Sequence, residues 1–129
     1  YLEDISDLRK MEPYVYSQMT AGKDAFKPGE AKNSWLTGTA SWNYYAITQF
    51  ILGIKPHYDG IEVDPCIPAS WKNFIISRKF RNAEFEIEII NNNVQKGVKE
   101  VYLNGSKLSS NIIPVQPAGS KNKVKVIMG

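Results

Sequence analysis

The spacing of the apolar residues changes at Gly53, and this change constrains the fold more than any other feature of the sequence. From Thr39 to Leu52, in "TASWNYYAITQFIL", apolar and aromatic residues recur at steps of three and four, which is the period of a helix. The stretch is apolar over most of its circumference, so a largely buried helix is predicted. Thr37 or Thr39 is its expected N-cap, and Gly53 is its expected left-handed C-terminal cap.

Strand patterns follow the predicted helix. "IKPHYDGIEVDPCIPAS" carries three prolines, which exclude a regular helix, so residues 55–73 are predicted to form a connector. "AEFEIEII" then alternates apolar and acidic residues, as a half-buried strand does. Asn104 and Gly105 supply the residues of a tight hairpin turn, and "KVKVIM", Lys123 to Met128, is the last predicted strand. Residues 74–129 are therefore predicted to form an antiparallel β domain.

The first part of the chain is predicted to be helical with long loops. The stretch from Glu3 to Met19 opens with a charged, helix-forming segment that Pro13 is expected to end, and "AGKDAFKPGEAKNS" is typical of a loop. The fold class is therefore α+β, either as one compact domain or as the junction of a helical and a β domain. Because the chain begins with Tyr1 and structure is predicted almost at once, we expect a piece of a longer polypeptide and favour the junction.

Composition excludes several function classes. Sixteen basic and thirteen acidic residues give a net charge of +3 without a long basic run, so nucleic acid is not an expected partner. The single Cys66 cannot form an internal disulfide, and no apolar stretch of about twenty residues could span a membrane. A cytoplasmic location fits these features. His57 and Cys66 are too few to predict a metal site.

The turn "SWLTGT" before the predicted helix has two interpretations. A helix N-terminus carries unpaired N–H groups and partial positive charge, so it binds phosphate or sulfate readily. Gly38 would let an anion approach the backbone, and the hydroxyls of Thr37 and Thr39 could donate to it. Alternatively, the threonines only cap the helix and Gly38 only eases the turn. The spacing alone favours this second interpretation.

Other polar residues have a structural explanation beside a functional one. Gln18 lies among aromatic residues, a mixture that suits a sugar site, although Tyr14 and Tyr16 could equally be core residues. Glu12 could serve as an acid catalyst but has no partner carboxylate at a readable spacing. The simpler explanation is favoured for the remaining candidates: turn or loop carboxylates for Asp59 and Asp64, packing for Trp35 and Trp42, an exposed loop position for His57, and a small buried apolar residue for Cys66.

Two long blocks carry a family resemblance. "GEAKNSWLTGTASWNY" and "ILGIKPHYDGIEVDPCIP" resemble the C-terminal part of the inverting glycoside phosphorylases of the cellobiose phosphorylase family, which also includes chitobiose, cellodextrin and laminaribiose phosphorylases. The resemblance implies that residues 1–54 are the last helices of an α/α barrel of six helical hairpins. It also implies that residues 55–73 are a connector and residues 74–129 a C-terminal β domain of jelly-roll type.

The resemblance further implies the chemistry of the parent enzyme. In this family, inorganic phosphate attacks the anomeric carbon of a β-linked disaccharide while an aspartic acid protonates the leaving oxygen, which gives an α-sugar 1-phosphate. Phosphate is a substrate, and no cofactor is expected. Thr37 and Gly38 correspond to a phosphate-binding element, and Gln18 corresponds to a residue that binds the donor-side sugar. The catalytic aspartate of the family lies upstream, so no catalytic residue is assigned within this chain.

The expected substrate is cellobiose, because "AFKPGEAKNSWLTGTASWNY" is nearest to that branch, and laminaribiose and cellodextrins remain open. The expected partners are the sugar, phosphate, the remainder of the parent enzyme and a second subunit in a homodimer. The isolated chain is expected to be inactive. The alternative function is a non-catalytic carbohydrate-binding or structural β module with a helical docking segment.

Overall fold

The computed structural model describes residues 5–12 and 14–129 and divides into two compact units. The first unit extends to Tyr45, and the second runs from Ala46 to Gly129. Pro13, the expected end of the first helix, lies outside the described residues, as do residues 1–4. The division falls inside the segment that the sequence predicts as a single helix. The predicted domain boundaries at residues 54 and 73 remain predictions.

Within residues 5–12 and 14–45, the first unit has two helices and a hairpin. Helix α1, Ser6–Arg9, ends at the left-handed Lys10, whose N–H donates to the carbonyl of Ser6. Strands β1, Ser17–Thr20, and β2, Ala31–Ser34, pair in antiparallel fashion. The stretch predicted as one continuous loop is therefore partly a strand, because the loop closes on itself through a hydrogen bond from the N–H of Ala21 to the carbonyl of Glu30, 2.9 Å long.

The helix predicted from Thr39 to Leu52 changes type along its length. Helix α2 covers Thr39–Tyr45, and a π-helical segment follows at Ala46–Ile51. The N–H of Leu52 reaches back five residues to the carbonyl of Ile47 at 2.8 Å, which is the wider hydrogen-bond spacing of a π-helix. Gly53 then adopts φ +69°, which confirms the left-handed end predicted for it.

The predicted burial of this helix is wrong for the described chain. Trp42 is 70% exposed, Phe50 57% and Tyr45 40%. The apolar β residues pack among themselves in the second unit, and no comparable cluster of buried residues covers the helix in the described ranges.

Residues predicted as a connector form part of a three-stranded sheet in the second unit. Strands β3, Ile54–His57, and β4, Gly60–Val63, form a hairpin, and β9, Ile112–Pro114, pairs with β4. Because β3 lies at the edge of this sheet, Pro56 needs no N–H for a second partner strand. The three prolines therefore exclude a helix, as predicted, but not a strand.

A five-stranded sheet forms the larger part of the second unit. Its strands are β5, Asn73–Phe80, β6, Ala83–Asn91, β7, Val98–Leu103, β8, Ser106–Lys107, and β10, Lys121–Met128. Their spatial order is β5-β6-β10-β7-β8. Asn104 and Gly105, at φ 49° and 86°, form the predicted tight turn between β7 and β8.

The prediction of a purely antiparallel β domain is wrong at the centre of this sheet. Strand β10 is parallel to β6 over its whole length, from Lys121 opposite Glu84 to Met128 opposite Asn91. It is antiparallel to its other neighbour, β7. Parallel strands need a long crossover, and here β7, β8 and β9 lie between the two strands in the chain. The sheet is therefore mixed.

One apolar core joins the two sheets of the second unit. The predicted alternation of β6 is confirmed, because Ala83, Phe85, Ile87 and Ile89 are buried and its glutamates are exposed. Ile87 and Ile89 are completely buried, as are Val126 of β10, Val63 of β4 and Ile113 of β9. The opposite face of the five-stranded sheet carries charge, since the exposed glutamates of β6 lie beside the exposed lysines of β10.

Within residues 5–12 and 14–129, no helix combines the length with the apolar sequence that a membrane crossing requires.

Candidate functional site

The hairpin of the first unit holds Gln18, the predicted sugar-binding residue. Asn33 lies on the opposite strand, and its Nδ2 donates to Oε1 of Gln18 at 2.7 Å. Both residues are exposed. The carbonyl end of the Gln18 amide is therefore engaged within the hairpin, whereas its NH₂ group offers two further donors.

A second contact lies close to the ends of this hairpin. The indole Nε1 of Trp35 donates to the carboxylate of Glu12 at 3.3 Å. Hydrogen bonds to this carboxylate from its own backbone N–H, from Trp35 and from Ser34 lower the pKa of Glu12, because they favour the charged form. Glu12 is thus an anionic acceptor that orients an aromatic ring.

Trp35 itself differs from its prediction as a packing residue. It adopts φ +68°, an unfavourable conformation for a bulky side chain, and it is 74% exposed. Asn33, two residues earlier, also has positive φ. Such conformations persist where the surroundings enforce them, and in this chain they lie immediately before the T-G-T turn.

The T-G-T turn begins helix α2 as predicted. The hydroxyl oxygen of Thr37 accepts from the backbone N–H of Thr39 at 3.1 Å, and the two hydroxyls lie 2.7 Å apart, with one donating to the other. The N–H of Trp42 donates to the carbonyl of Gly38 at 3.0 Å and forms the first helical hydrogen bond. Gly38 therefore occupies the N-cap position, for which the sequence predicted Thr37 or Thr39. The Thr37 side chain caps the N–H of Thr39, and one hydroxyl hydrogen of the threonine pair remains for another acceptor.

The described hydrogen bonds do not join Gln18 to the turn directly. Gln18 is bonded to Asn33, and Thr37 is bonded to Thr39. The connection runs through the chain, since β2 ends at Ser34 and only Trp35 and Leu36 separate it from Thr37. The predicted sugar-binding and phosphate-binding residues are thus carried by consecutive elements of one unit.

The other candidate carboxylates belong to the second unit. Asp64 accepts from Lys55 at 3.2 Å and lies 3.6 Å from Lys96. Desolvation lowers the pKa of Lys55, but the hydrogen bond to Asp64 and the charges of Glu62 and Asp64 outweigh it, so this pKa is raised. Asp59 lies in the β3–β4 turn. These contacts agree with the predicted structural roles of Asp59 and Asp64.

Two single residues differ from their predictions. Cys66 is exposed rather than buried, because it lies between the buried Pro65 and Ile67 and the alternation turns it outward. His57 ends strand β3 and is only half-exposed, and its Nδ1 accepts from the N–H of Asp59 at 3.2 Å. Across the part of the chain that the structure describes, no three His, Cys, Asp or Glu side chains form a group that could hold a metal ion.

Asn33 is the contact residue that sequence reasoning did not select. Its relation to Gln18 depends on the register of β1 and β2, and neither strand shows the apolar alternation that would predict it. The only local signal is that asparagine tolerates the left-handed conformation found at position 33.

Comparison with known proteins identifies relatives for both units. Residues 1–53 match the family described as "Glycosyl hydrolase 94 superfamily, catalytic domain". Over 127 residues, 98% of this chain, the sequence is 46% identical to the N,N'-diacetylchitobiose phosphorylase of Vibrio furnissii and 43% identical to that of Vibrio proteolyticus. It is 34% identical over 95% of its length to the solabiose phosphorylase of Paenibacillus borealis.

The chain spans 16% of the length of each of these three relatives. The similarity nevertheless runs through both units, whereas the family match covers the first unit and the start of the second. The chain is therefore similar to a segment of these phosphorylases, and residues 1–53 are similar to the catalytic domain of the glycosyl hydrolase 94 superfamily.

Proposed function

We propose that the chain is part of an inverting disaccharide phosphorylase whose preferred substrate is N,N'-diacetylchitobiose. The observation that carries this proposal is the 46% identity, over 98% of the chain, to a phosphorylase named for that sugar. The sequence alone favours cellobiose, but the relatives described above are named for chitobiose and solabiose. Cellobiose is therefore the second substrate to test.

In the proposed reaction, the phosphate anion is the nucleophile. A phosphate oxygen forms a bond to the anomeric carbon as the glycosidic C–O bond breaks, and the leaving oxygen takes a proton from an acid outside these 129 residues. The products are an α-sugar 1-phosphate and a free sugar. Phosphate arrives already anionic, so no second carboxylate is needed to activate water. No cofactor forms part of the proposal.

Thr37 and Gly38 are proposed to hold the phosphate. The helix start supplies backbone N–H groups without intrahelical partners, and Gly38 has no Cβ to keep an anion away. The threonine pair retains one hydroxyl hydrogen to donate. Gln18 is proposed to bind the donor-side sugar. The parent enzyme is proposed to be a cytoplasmic homodimer. The remainder of the parent enzyme is proposed to cover the exposed helix face.

The alternative of a carbohydrate-binding β module has less support. Such modules stack sugars on exposed aromatic rings. The exposed face of the five-stranded sheet instead presents glutamates of β6 beside lysines of β10. Phe85 is buried in the core, and Phe74, Phe80 and Tyr102 are only partly exposed. Trp71 is exposed, but it lies before β5 and packs edge-on against Phe74.

The test is phosphorolysis by the full-length parent protein, followed as sugar 1-phosphate released from N,N'-diacetylchitobiose, solabiose or cellobiose. Thr37→Asp separates the two roles of Thr37, because aspartate can still accept from the N–H of Thr39 as a cap but repels phosphate. We expect Thr37→Asp to raise the KM for phosphate about tenfold or more and Thr37→Ser to remain near wild type. If Thr37→Asp leaves the phosphate dependence unchanged, Thr37 is only a cap.

A further inference from the structure

We propose that Asn33 is a positioning residue that fixes the amide of Gln18 so that its NH₂ group faces the sugar; this inference rests on the proposed function. The antiparallel register that pairs Ser17 with Ser34 places Gln18 opposite Asn33. Their side chains meet across the hairpin, with Nδ2 of Asn33 donating to Oε1 of Gln18 at 2.7 Å.

This hydrogen bond selects the chemistry that Gln18 can offer to a ligand. A glutamine amide can either accept through Oε1 or donate through Nε2. With Oε1 engaged by Asn33, the donors of Nε2 remain for the ligand. The matching group on the sugar is a hydrogen-bond acceptor, such as a hydroxyl oxygen or the carbonyl oxygen of an acetamido group.

The backbone at position 33 restricts which residues can perform this role. Asn33 adopts φ +53°, a left-handed conformation that asparagine, aspartate and glycine tolerate and that β-branched residues do not. Asparagine also supplies the amide donor that Gln18 requires. Aspartate and glycine therefore keep the backbone conformation while changing the side chain, which makes them the informative variants.

The inference predicts different KM values for Asn33→Asp and Asn33→Gly in the full-length parent enzyme. In Asn33→Asp, the carboxylate accepts from Nε2 of Gln18 and turns Oε1 toward the sugar, so we expect the KM for N,N'-diacetylchitobiose to rise about tenfold. In Asn33→Gly, the amide is merely unrestrained, so a smaller rise is expected. The KM for phosphate should not change in either variant, whereas a general loss of structure would change both constants.

Two controls complete the experiment. Lys32→Ala removes the neighbouring exposed side chain, which pairs with Glu30 just before β2, and should leave both constants unchanged. In a Gln18→Ala background, Asn33→Asp should have no further effect on the KM for the sugar, because the two residues act through one contact.

Wild-type activity and sugar binding are measured first, so that the two proposals can fail separately. If wild type binds N,N'-diacetylchitobiose in calorimetry without turning it over, the proposed reaction fails, and the same variants are compared by affinity. If Asn33→Asp binds and reacts like wild type, or remains harmful without Gln18, the inference is overturned. If wild type does not bind the sugar at all, both proposals fall.

Discussion

Gly53→Ala is predicted to destabilise the chain more than Gly105→Ala, because an added Cβ has open space at Gly105 but meets backbone atoms at Gly53. Gly53 has φ +69°, and a Cβ added there would lie 2.1 Å from the backbone carbonyl carbon and oxygen of Asp64. The left-handed conformation costs an alanine about 1–2 kcal/mol, and overpacking typically adds about 1–3 kcal/mol. The expected loss in the free energy of unfolding is therefore about 2–5 kcal/mol.

The backbone of Asp64 has little freedom to move away. Its N–H donates to the carbonyl of Gly53 at 2.9 Å, and its side chain is paired with Lys55 and Lys96. Gly105→Ala is the matched control, since Gly105 has φ +86° but nothing within 4 Å of an added Cβ. This control should lose only the conformational part, about 1–2 kcal/mol.

Urea unfolding of the 129-residue chain, followed by far-UV circular dichroism and tryptophan fluorescence, measures both losses. The midpoints should shift while the slopes stay equal. If Gly53→Ala and Gly105→Ala lose the same free energy within about 0.5 kcal/mol, the close approach between Gly53 and Asp64 does not constrain the folded chain, and our reasoning is refuted.

Three further predictions concern the second unit. Ile87→Ala, which empties a fully buried position, should cost about 2–5 kcal/mol, whereas Ile75→Ala, at a residue 63% exposed, should stay within about 0.5 kcal/mol of wild type in the same urea assay. The hydrogen bond from Lys107 lowers the pKa of Glu100 from its ordinary 4.5. The stabilisation that ionised Glu100 gives the folded chain is therefore complete above pH 4.5 and is lost as pH falls through the lower folded pKa. Glu100→Gln should flatten this acid dependence of the urea midpoint. Cys66, which is exposed, should react fully with a thiol reagent in the native 129-residue chain, and protection until unfolding would contradict its placement.

The features that sequence predicted correctly are those encoded within a few neighbouring residues. The alternation of β6 and β10 appears directly as a period of two, and the Asn104-Gly105 turn follows from residues that accept positive φ. The end of the helical segment at Gly53 has the same local origin. Each of these features could be predicted because it depends on backbone conformation and side-chain period rather than on distant partners.

The features that sequence did not predict depend on pairing between distant residues. No local pattern shows that β10 lies parallel to β6, because the crossover of about thirty residues between them is not specified by either strand alone. The site shows the same limit. The family resemblance assigns Thr37, Gly38 and Gln18, whereas the spacing of the T-G-T motif alone favours a helix cap. Asn33 becomes relevant only through its position across the hairpin.

The central position of β10 has a consequence for how the second unit is made. Without β10, the five-stranded sheet falls into two separate hairpins, β5–β6 and β7–β8. The ribosome synthesises β10 after all of its neighbours, so both hairpins leave the exit tunnel with open edges and uncovered isoleucine and valine side chains. During that interval the nascent chain is exposed to misassembly. A chaperone that holds these edges until β10 emerges would raise the yield more than one acting on the completed sheet.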